Sequence, residues 1–336
     1  MAALPPLADP QGSVALGGLK GQSIFVTGGT GFLGSWLVES LLQQNRIHAL
    51  GLRVTVLSRN PAAFSAAYPD LAQDAALTLH QGDIASFEFP AGRFGLAVHA
   101  ALPVASATPD LVETARLGAR RMADFVRHAG VGRLLHVSSG AVYGPHPPGV
   151  ERLAEDTAWD TAAAANDYTL AKRAEEQVFA DAVDGCITAR CFALIGPRQS
   201  PDSGTASAQF IDRAANGLGI RIEGDGQAVR SYQYASDTAA WLVALLARGR
   251  PDRAYNVGSE EALSIAALAQ KVRAIAGGPP VEVLGRAAPG RAGARYVPDT
   301  ARARQELGLA NQVGLDEAIA RTLRWRQGCP LPSPHE

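Results

Sequence analysis

Short apolar runs alternate with helix-forming stretches along the first two-thirds of the chain. The run Ser23–Thr27 is rich in β-branched residues and ends at glycines, and the apolar side chains from Phe32 to Leu41 then recur at helical spacing. This pattern predicts a strand, a turn and a helix. Comparable short runs, each predicted to be a strand, lie at residues 54–57, 77–79, 96–100 and 134–137.

Two longer amphipathic stretches, residues 111–128 and 168–182, are predicted to be crossover helices. Strands that alternate with helices are typical of an α/β fold, because parallel neighbours need a crossover connection and that connection is right-handed. The sequence therefore predicts a doubly wound parallel sheet with helices on its faces.

The pattern changes after Gly196 and Pro197, where a polar loop precedes a predicted helix at 210–216 and a predicted strand at 220–223. Residues 237–248 and 255–257 are apolar enough to pack back onto the first sheet, so the boundary between the two parts is soft. We divide the chain into a flexible leader at 1–22, a cofactor domain at 23–195, a smaller α/β substrate lobe at 196–328 and a frayed tail at 329–336.

The charge balance excludes a global attraction to nucleic acid or to an anionic membrane. The chain has 336 residues, with 31 Lys plus Arg against 32 Asp plus Glu. The leader lacks the basic start and apolar stretch of a signal peptide, and no run is long enough to span a bilayer. The three cysteines, Cys186, Cys191 and Cys329, show neither a disulfide framework nor metal-ligand spacing, which favours a cytoplasmic protein without a metal.

The turn after the first strand has glycines at positions 28, 31 and 34. Glycines permit a tight turn and a close approach to the backbone amides at the start of a helix, where a pyrophosphate binds. A glycine pattern alone is a weak signal, but here a strand precedes it and an amphipathic helix follows. We therefore predict a Rossmann dinucleotide site that includes Gly28, Thr30, Gly31, Phe32, Leu33 and Gly34.

The second strand ends in Ser58 and Arg59, without the acidic residue that would bind the free hydroxyls of an adenosine ribose. The guanidinium of Arg59 can instead bind a 2′-phosphate in forked geometry, with a hydrogen bond from Ser58. NAD(P) is therefore the expected cofactor, and NADP(H) is favoured over NAD. The competing interpretation is that Arg59 is a solvated surface arginine.

The ends of the third and fourth strands add predicted cofactor contacts. Asp83 follows the third strand and can accept a hydrogen bond from the adenine amino group, with Ile84 beside it. Ala100 and Ala101 follow the fourth strand, where small residues let the backbone lie against the cofactor. His99, which precedes them, is interpreted equally well as a structural or a functional histidine.

Tyr168 and Lys172 are four residues apart, so both lie on one face of the second crossover helix. A phenol beside an ammonium is a suitable acid/base catalyst, because the positive charge stabilises the phenolate. Both residues are also predicted to contact the cofactor. Ser139, at the end of the fifth strand, is predicted to hydrogen-bond the substrate oxygen that exchanges a proton with Tyr168.

The glycine-rich turn, the SSGAVYG strand end and the YxxxK pair occur in an order that resembles the extended short-chain dehydrogenase/reductase family, specifically its nucleotide-sugar epimerase/dehydratase branch. The resemblance covers about residues 23–325 and assigns catalysis to the serine, tyrosine and lysine just named. In the family, an arginine in the segment that resembles the one around Arg230 contacts the substrate diphosphate. Arg295 is a second arginine in the same region. The substrate-binding residues that it implies are Ser139, Gly140, Ala141, Ala193, Arg230 and Arg295.

Several positions depart from the family pattern. Many members carry Asn where Ala193 stands, and the first crossover helix has Ala115 and Ala119 where the familiar pattern has Asn and Thr. The sugar 4,6-dehydratases carry an Asp-Glu pair directly after the catalytic hydroxyl residue, where this chain has Gly140 and Ala141. Without that acid and base, the removal of water lacks its proton-transfer groups, so dehydration is disfavoured.

The predicted function is hydride transfer at C4 of a nucleotide-diphosphate sugar, by an epimerase or a 4-ketoreductase. Arg59 favours the reductase, which consumes NADPH, whereas the general resemblance favours the epimerase, which usually holds NAD. A reductase of a steroid- or flavonoid-type ketone is disfavoured because Arg230 and Arg295 suit a diphosphate. A silent dinucleotide-binding regulator is disfavoured by the intact catalytic residues. The resemblance also implies a homodimer formed through the two crossover helices.

Overall fold

A computed structural model of the protein describes residues 13–102, 110–147, 149–159, 165–286 and 293–328. Most of the predicted leader, the tail and Cys329 lie outside these ranges. The helices are α1 Phe32–His48, α2 Pro61–Ala67, α3 Pro69–Ala72, α4 Leu111–Ala129, α5 Asp167–Ala182, α6 Ala206–Ala215, α7 Ala235–Arg248, α8 Ile265–Ala276, α9 Ala301–Leu307 and α10 Leu315–Arg326, and the 3-10 helices are Ser13–Leu19, Gly140–Tyr143 and Pro201–Ser203. The strands are β1 Ser23–Thr27, β2 Arg53–Ser58, β3 Leu77–Gln81, β4 Leu96–His99, β5 Arg133–Ser139, β6 Cys186–Cys191, β7 Leu194–Ile195, β8 Arg221–Ile222, β9 Val229–Arg230, β10 Gln233–Tyr234, β11 Arg253–Val257, β12 Leu263–Ser264, β13 Glu282–Val283 and β14 Arg295–Tyr296.

Seven parallel strands form the main sheet, in the order β11-β6-β5-β4-β1-β2-β3. The chain runs outward from β1 to β3 and then returns to β4 on the other side of β1. Between β1 and β4 the connections diverge, which opens a crevice at the carboxyl ends of the strands. The predicted parallel α/β fold is confirmed, and the crevice is the place where such a sheet binds its ligands.

The end of the predicted leader is part of the core. Leu16 and Leu19 are fully buried, and the 3-10 helix that carries them packs against α7. Residues three apart lie on one face of a 3-10 helix, so both leucines reach the same apolar surface. The prediction of a flexible leader over 1–22 is therefore wrong for this segment, which is too short to show a helical period in the sequence.

The second half of the chain contributes to both parts of the molecule. Helices α6, α8 and α10 pack together around a smaller apolar core, beside three small sheets. By contrast, α7 packs against α1, and β11 is the edge strand of the main sheet. Helix α6 begins at Ala206, four residues before the predicted start. Among the described helices, none has both the length and the hydropathy needed to cross a bilayer.

Candidate active site

The loop between β1 and α1 is shaped by two glycines that tolerate no side chain. Gly28 has φ +72°, and a Cβ atom there would overlap the carbonyl of Ala100 and the amide of Ala101. A Cβ atom at Gly34 would overlap the carbonyl of Gly28. The glycine turn, the start of α1 and the end of β4 therefore pack closely together, and this packing depends on the two glycines.

The start of α1 offers backbone amides to a ligand. Gly31 is the N-cap, and the amides of the first turn, including those of Phe32 and Leu33, have no carbonyl partner within the helix. The space at Gly31 is open, since the nearest atom to a Cβ atom there would be the Gly28 oxygen at 3.5 Å. Free amides, the positive end of the helix and open space fit the pyrophosphate of a dinucleotide.

A cleft of about 330 Å³ lies at the end of β2. The Oγ atom of Ser58 is buried and accepts a hydrogen bond from the amide of Asn60 at 3.2 Å. Arg59 is exposed, and its guanidinium has no hydrogen bond or ion pair with any residue that the structure describes. The cleft has no acidic lining residue among those described: Thr30, Ser58, Arg59, Asn60, Ala63, Phe64, Ala67 and Tyr68.

Asp83 and Ile84, the predicted adenine contacts, have local partners of their own. One carboxylate oxygen of Asp83 accepts the amide of Ala85 at 3.0 Å, which stabilises the turn after β3. The side chain of Ile84 packs against Gly118 of α4. A contact of either residue with the adenine ring stays a prediction.

The predicted catalytic residues lie at the carboxyl end of the sheet. Ser139 ends β5, is buried, and accepts the amide of Ala141 at 3.2 Å. Helix α5 starts behind Asn166, whose side chain caps the amide of Thr169 at 2.9 Å. This start places Tyr168, half-buried, in the first turn of α5 and Lys172, fully buried, in the next. Because α5 packs against β5 and the following 3-10 helix, these side chains line one end of the crevice.

Lys172 is held in its charged form. Its Nζ atom donates to the carbonyl of Val137 at 3.0 Å and to a carboxylate oxygen of Glu175 at 2.9 Å. Burial opposes the charge, but the attraction of Glu175 and then of Tyr168 outweighs it, so the pKa of Lys172 is raised. The site therefore contains a fixed ammonium one turn from Tyr168, as the predicted acid/base pair requires.

Tyr296 of β14 is a site residue that the sequence analysis missed. Its Oη atom lies 3.5 Å from Oγ of Ser139 and 3.5 Å from the carbonyl oxygen of Cys191. Its ring packs on that of Phe192, with 4.5 Å between the centroids. Burial raises the pKa of Tyr296, so the phenol stays neutral and can donate a hydrogen bond.

Aromatic side chains occupy the space that a Cβ atom at Gly140 would take. A Cβ atom there would lie 2.6 Å from the ring of Phe192 and 2.7 Å from Oη of Tyr296. No side chain fits at this position without moving both rings. Of the other predicted contacts, Ala141 donates its amide to Ser139, and the carbonyl of Ala193 accepts the amide of Gln233 at 3.1 Å.

The two predicted substrate arginines lie on neighbouring strands but on opposite faces. In the parallel pairing of β9 with β14, Tyr296 is opposite Arg230 and Arg295 is opposite Val229. Because successive side chains of a strand point to opposite faces, Arg230 shares the face of Tyr296, with its guanidinium 5.8 Å from that ring. Arg295 points away and donates to the carbonyl of Glu151 at 2.6 Å. Of these two arginines, Arg230 is the one on the face of Tyr296, where its Nη1 atom donates to the carbonyls of Val229 at 2.9 Å and Ala294 at 3.0 Å.

Known proteins resemble this chain over most of its length. Residues 24–258 match the model of the NAD dependent epimerase/dehydratase family. A dTDP-glucose 4,6-dehydratase of Streptomyces niveus is 28% identical over 93% of this chain and 96% of its own length. A UDP-glucose 4-epimerase of Mycolicibacterium smegmatis is 30% identical over 89% of this chain and 97% of its own. The structure of a dTDP-glucose 4,6-dehydratase from Streptomyces venezuelae with NAD bound has a TM-score of 0.78 at 26% identity, and covers 91% of this chain and 97% of that one.

Proposed function

Because this chain belongs to the NAD dependent epimerase/dehydratase family, we propose that it transfers a hydride at C4 of a nucleotide-diphosphate sugar and removes no water. The relatives named above act on dTDP-glucose or UDP-glucose, which supports the substrate class. The position of Arg230 on the site face supports a diphosphate, since a guanidinium binds phosphate oxygens in forked geometry. Which base and which sugar are bound depends on loop contacts beyond these residues.

Each residue of the site has a separate role in the proposed reaction. A dinucleotide held by the glycine turn and the start of α1 would supply or accept the hydride. Tyr168 exchanges a proton with the C4 oxygen of the sugar, and the charge of Lys172 stabilises its phenolate. The hydroxyl of Ser139 donates a hydrogen bond to the same oxygen. The neutral phenol of Tyr296, beside Ser139, closes this polar pocket on the side of Gly140.

The observation that carries the proposal is the filled space at Gly140. In the dehydratases, the elimination of water needs an acid and a base directly after the catalytic hydroxyl residue. Here the first of those positions is Gly140, and an acid there would have to displace the ring of Phe192 and the hydroxyl of Tyr296. The second is Ala141, which carries no proton-transfer group. Oxidation or reduction at C4 needs only the hydroxyl of Ser139, the phenol of Tyr168 and the ammonium of Lys172.

Two reactions at C4, reduction of a 4-keto sugar and epimerisation, are compatible with this site, and they differ in the cofactor that they use. The described residues that line the cleft beside Ser58 and Asn60 include one cation, Arg59, and no carboxylate, which favours NADP(H) and a 4-ketoreductase. The similarity to a UDP-glucose 4-epimerase is the observation that favours the second candidate, an epimerase that retains NAD. Native mass spectrometry of the purified protein separates them, because an epimerase regenerates its cofactor in each cycle and keeps it bound.

The absence of elimination can be tested in deuterated water. Wild-type protein is incubated with dTDP-glucose or UDP-glucose, and separately with a 4-keto nucleotide sugar and NADPH. From dTDP-glucose or UDP-glucose we expect no product with deuterium at C5, since removal of water across C5 and C6 requires the C5 proton to leave and to be replaced from solvent. The incubation with the 4-keto sugar and NADPH is scored only for reduction at C4, because the C5 proton beside a ketone exchanges with solvent by itself. The Tyr168→Phe protein serves as the inactive control. A 4-keto-6-deoxy product formed from dTDP-glucose or UDP-glucose, with deuterium at C5, would show a dehydratase and overturn the proposal.

We further expect a homodimer formed through α4 and α5, which pack side by side. Leu117 on α4 is 45% exposed and Leu170 on α5 is 40% exposed, although both are large apolar side chains. A second copy related by a twofold axis would cover both helices at once. Light scattering at micromolar concentration should give twice the chain mass for wild type and a single chain mass for Leu117→Glu/Leu170→Glu. Ile275→Glu, at a similarly exposed position on α8, is the matched control and should stay dimeric; a monomeric wild type would contradict the expectation.

A further inference from the structure

A fully buried carboxylate follows Lys172 by one helical turn and has no part in the proposed proton exchange. One oxygen of Glu175 accepts hydrogen bonds from Nζ of Lys172 at 2.9 Å and from Nε2 of His136 at 3.0 Å. Its other oxygen lies 3.5 Å from Nε2 of His99, whose Nδ1 is 3.0 Å from Oγ1 of Thr27. These five side chains, here called the Glu175 cluster, join α5 to the neighbouring strands β5, β4 and β1, which carry His136, His99 and Thr27.

The Glu175 cluster pairs one ammonium, that of Lys172, with one carboxylate, that of Glu175, and is closed to water. Its lysine, glutamate and histidines are each at most 4% exposed. Burial lowers the pKa of His136, so its imidazole is neutral and donates through Nε2. Burial would raise the pKa of Glu175, but the Lys172 ammonium and the two histidines hold it well below its ordinary value. The ammonium is therefore balanced by this carboxylate and not by solvent.

Two further titratable groups face Lys172. Tyr168 lies one turn earlier on α5, and Cys191 ends β6. Burial raises the pKa of the Cys191 thiol to about 12, so it carries no charge near neutral pH. Among the residues that the structure describes, Glu175 is the carboxylate in contact with the Lys172 ammonium.

We infer that Glu175 is a positioning residue of the active site, whose carboxylate keeps Lys172 charged and fixed so that the ammonium can stabilise the phenolate of Tyr168. The inference rests on the proposed acid/base role of Tyr168. A buried ammonium without a counter-charge is strongly disfavoured. Of the three donors of the ammonium, Glu175 and the carbonyl of Val137 engage two, which fixes the direction of the third.

Replacing Glu175 by Gln removes the charge and keeps the shape of the side chain. Without the carboxylate, nothing offsets the cost of burying the Lys172 ammonium, so the pKa of Lys172 should fall by about two pH units or more. The chain has three lysines, Lys20, Lys172 and Lys271, so NMR spectra of protein labelled with ¹³C at lysine Cε can follow Lys172 against the other two. The Glu175→Gln protein should lose the charge of Lys172 at a clearly lower pH than wild type.

The pH profile of turnover supplies the second readout. Since the charged form of Lys172 is the active one, the activity of Glu175→Gln should decline as pH rises through the lowered pKa of Lys172. The wild-type enzyme should show no decline from this cause in the same range. The titration of Lys172 needs no substrate, so a protein inactive on every nucleotide sugar would contradict the proposed function and leave this test intact.

Glu176→Gln is the matched control. Glu176 is the next residue of α5 and forms a buried ion pair with Arg190 at 2.8 Å, but it does not touch Lys172. Its replacement removes a carboxylate from the same helix and should leave the Lys172 titration unchanged. If Glu175→Gln fails to fold, Glu175→Asp, which keeps the charge on a shorter side chain, should lower the pKa of Lys172 by a smaller amount. A Lys172 titration that matches wild type in the folded Glu175 variant would overturn the inference.

Discussion

Tyr168→Phe is expected to lower turnover by about a hundredfold or more, the usual size of lost acid/base catalysis. Phenylalanine keeps the ring in the first turn of α5 and removes only the hydroxyl that exchanges the proton. The glycine loop and the cleft at Arg59 are unchanged, so cofactor binding should stay close to that of wild type. Steady-state turnover and a fluorescence titration with NADPH measure the two quantities on the same preparations.

Tyr296→Phe is the matched control, because Tyr296 is a second phenol beside Ser139. Tyr296 lies 3.5 Å from Ser139 and stays neutral, so it can donate a hydrogen bond but cannot act as a base near neutral pH. Its loss should lower turnover by less than about tenfold, in the range of one hydrogen bond. Near-normal turnover of Tyr168→Phe would contradict the assignment, and a hundredfold loss in Tyr296→Phe instead would transfer the role to that residue.

The parts of the site that sequence alone predicted are those built from neighbours in the chain. A strand, a glycine turn and a helix are contiguous, so their order and spacing can be read directly, and Gly28 and Gly34 stand where the fold permits no Cβ atom. The spacing of Tyr168 and Lys172 likewise depends only on the period of one helix. For these elements, local periodicity carries the structural information.

The residues that sequence reasoning missed or misplaced depend on contacts between distant segments. Tyr296 reaches Ser139 across 157 positions of the chain, and the pattern near it drew attention only to Arg295. The register of β14 against β9 decides that Tyr296, and not Arg295, points toward the site. The sequence of a two-residue strand does not reveal that register. Glu175 is three residues after Lys172 in the sequence, but its role depends on its contacts with His99 of β4 and His136 of β5, which the sequence does not show.

The filled space at Gly140 shows how such distant contacts bear on the reaction. As a sequence feature, Gly140 indicates only that an acid is missing. The structure adds that Phe192 and Tyr296 occupy the position, so restoring an acid there would require both rings to move. Similarity to dehydratases and to an epimerase is comparable along the chain. The choice between reaction types therefore depends on a few side chains at the end of β5, and not on overall identity.

Arg59→Ala is expected to erase most of a preference for NADPH over NADH. Ser58 ends β2 without a carboxylate for the ribose hydroxyls, and Arg59 is the cation among the described residues that line the cleft. A charge-assisted hydrogen bond contributes about 1.5 to 3 kcal/mol, which corresponds to roughly tenfold to more than a hundredfold in affinity. Because Arg59 is exposed, screening favours the lower end of this range. Titration with each nucleotide at one fixed, moderate salt concentration gives the four dissociation constants.

Arg53→Ala separates a specific contact from a general loss of positive charge. Arg53 is also exposed, but it lies at the opposite end of β2 and its Nε donates to Oγ of Ser23 at 3.1 Å. Its replacement should therefore leave both affinities unchanged, whereas Arg59→Ala should weaken NADPH and spare NADH. Equal binding of the two nucleotides by wild type would mean that Arg59 only points into solvent. The cleft would then no longer favour NADP(H), and an epimerase that retains NAD would become the better supported of the two outcomes at C4.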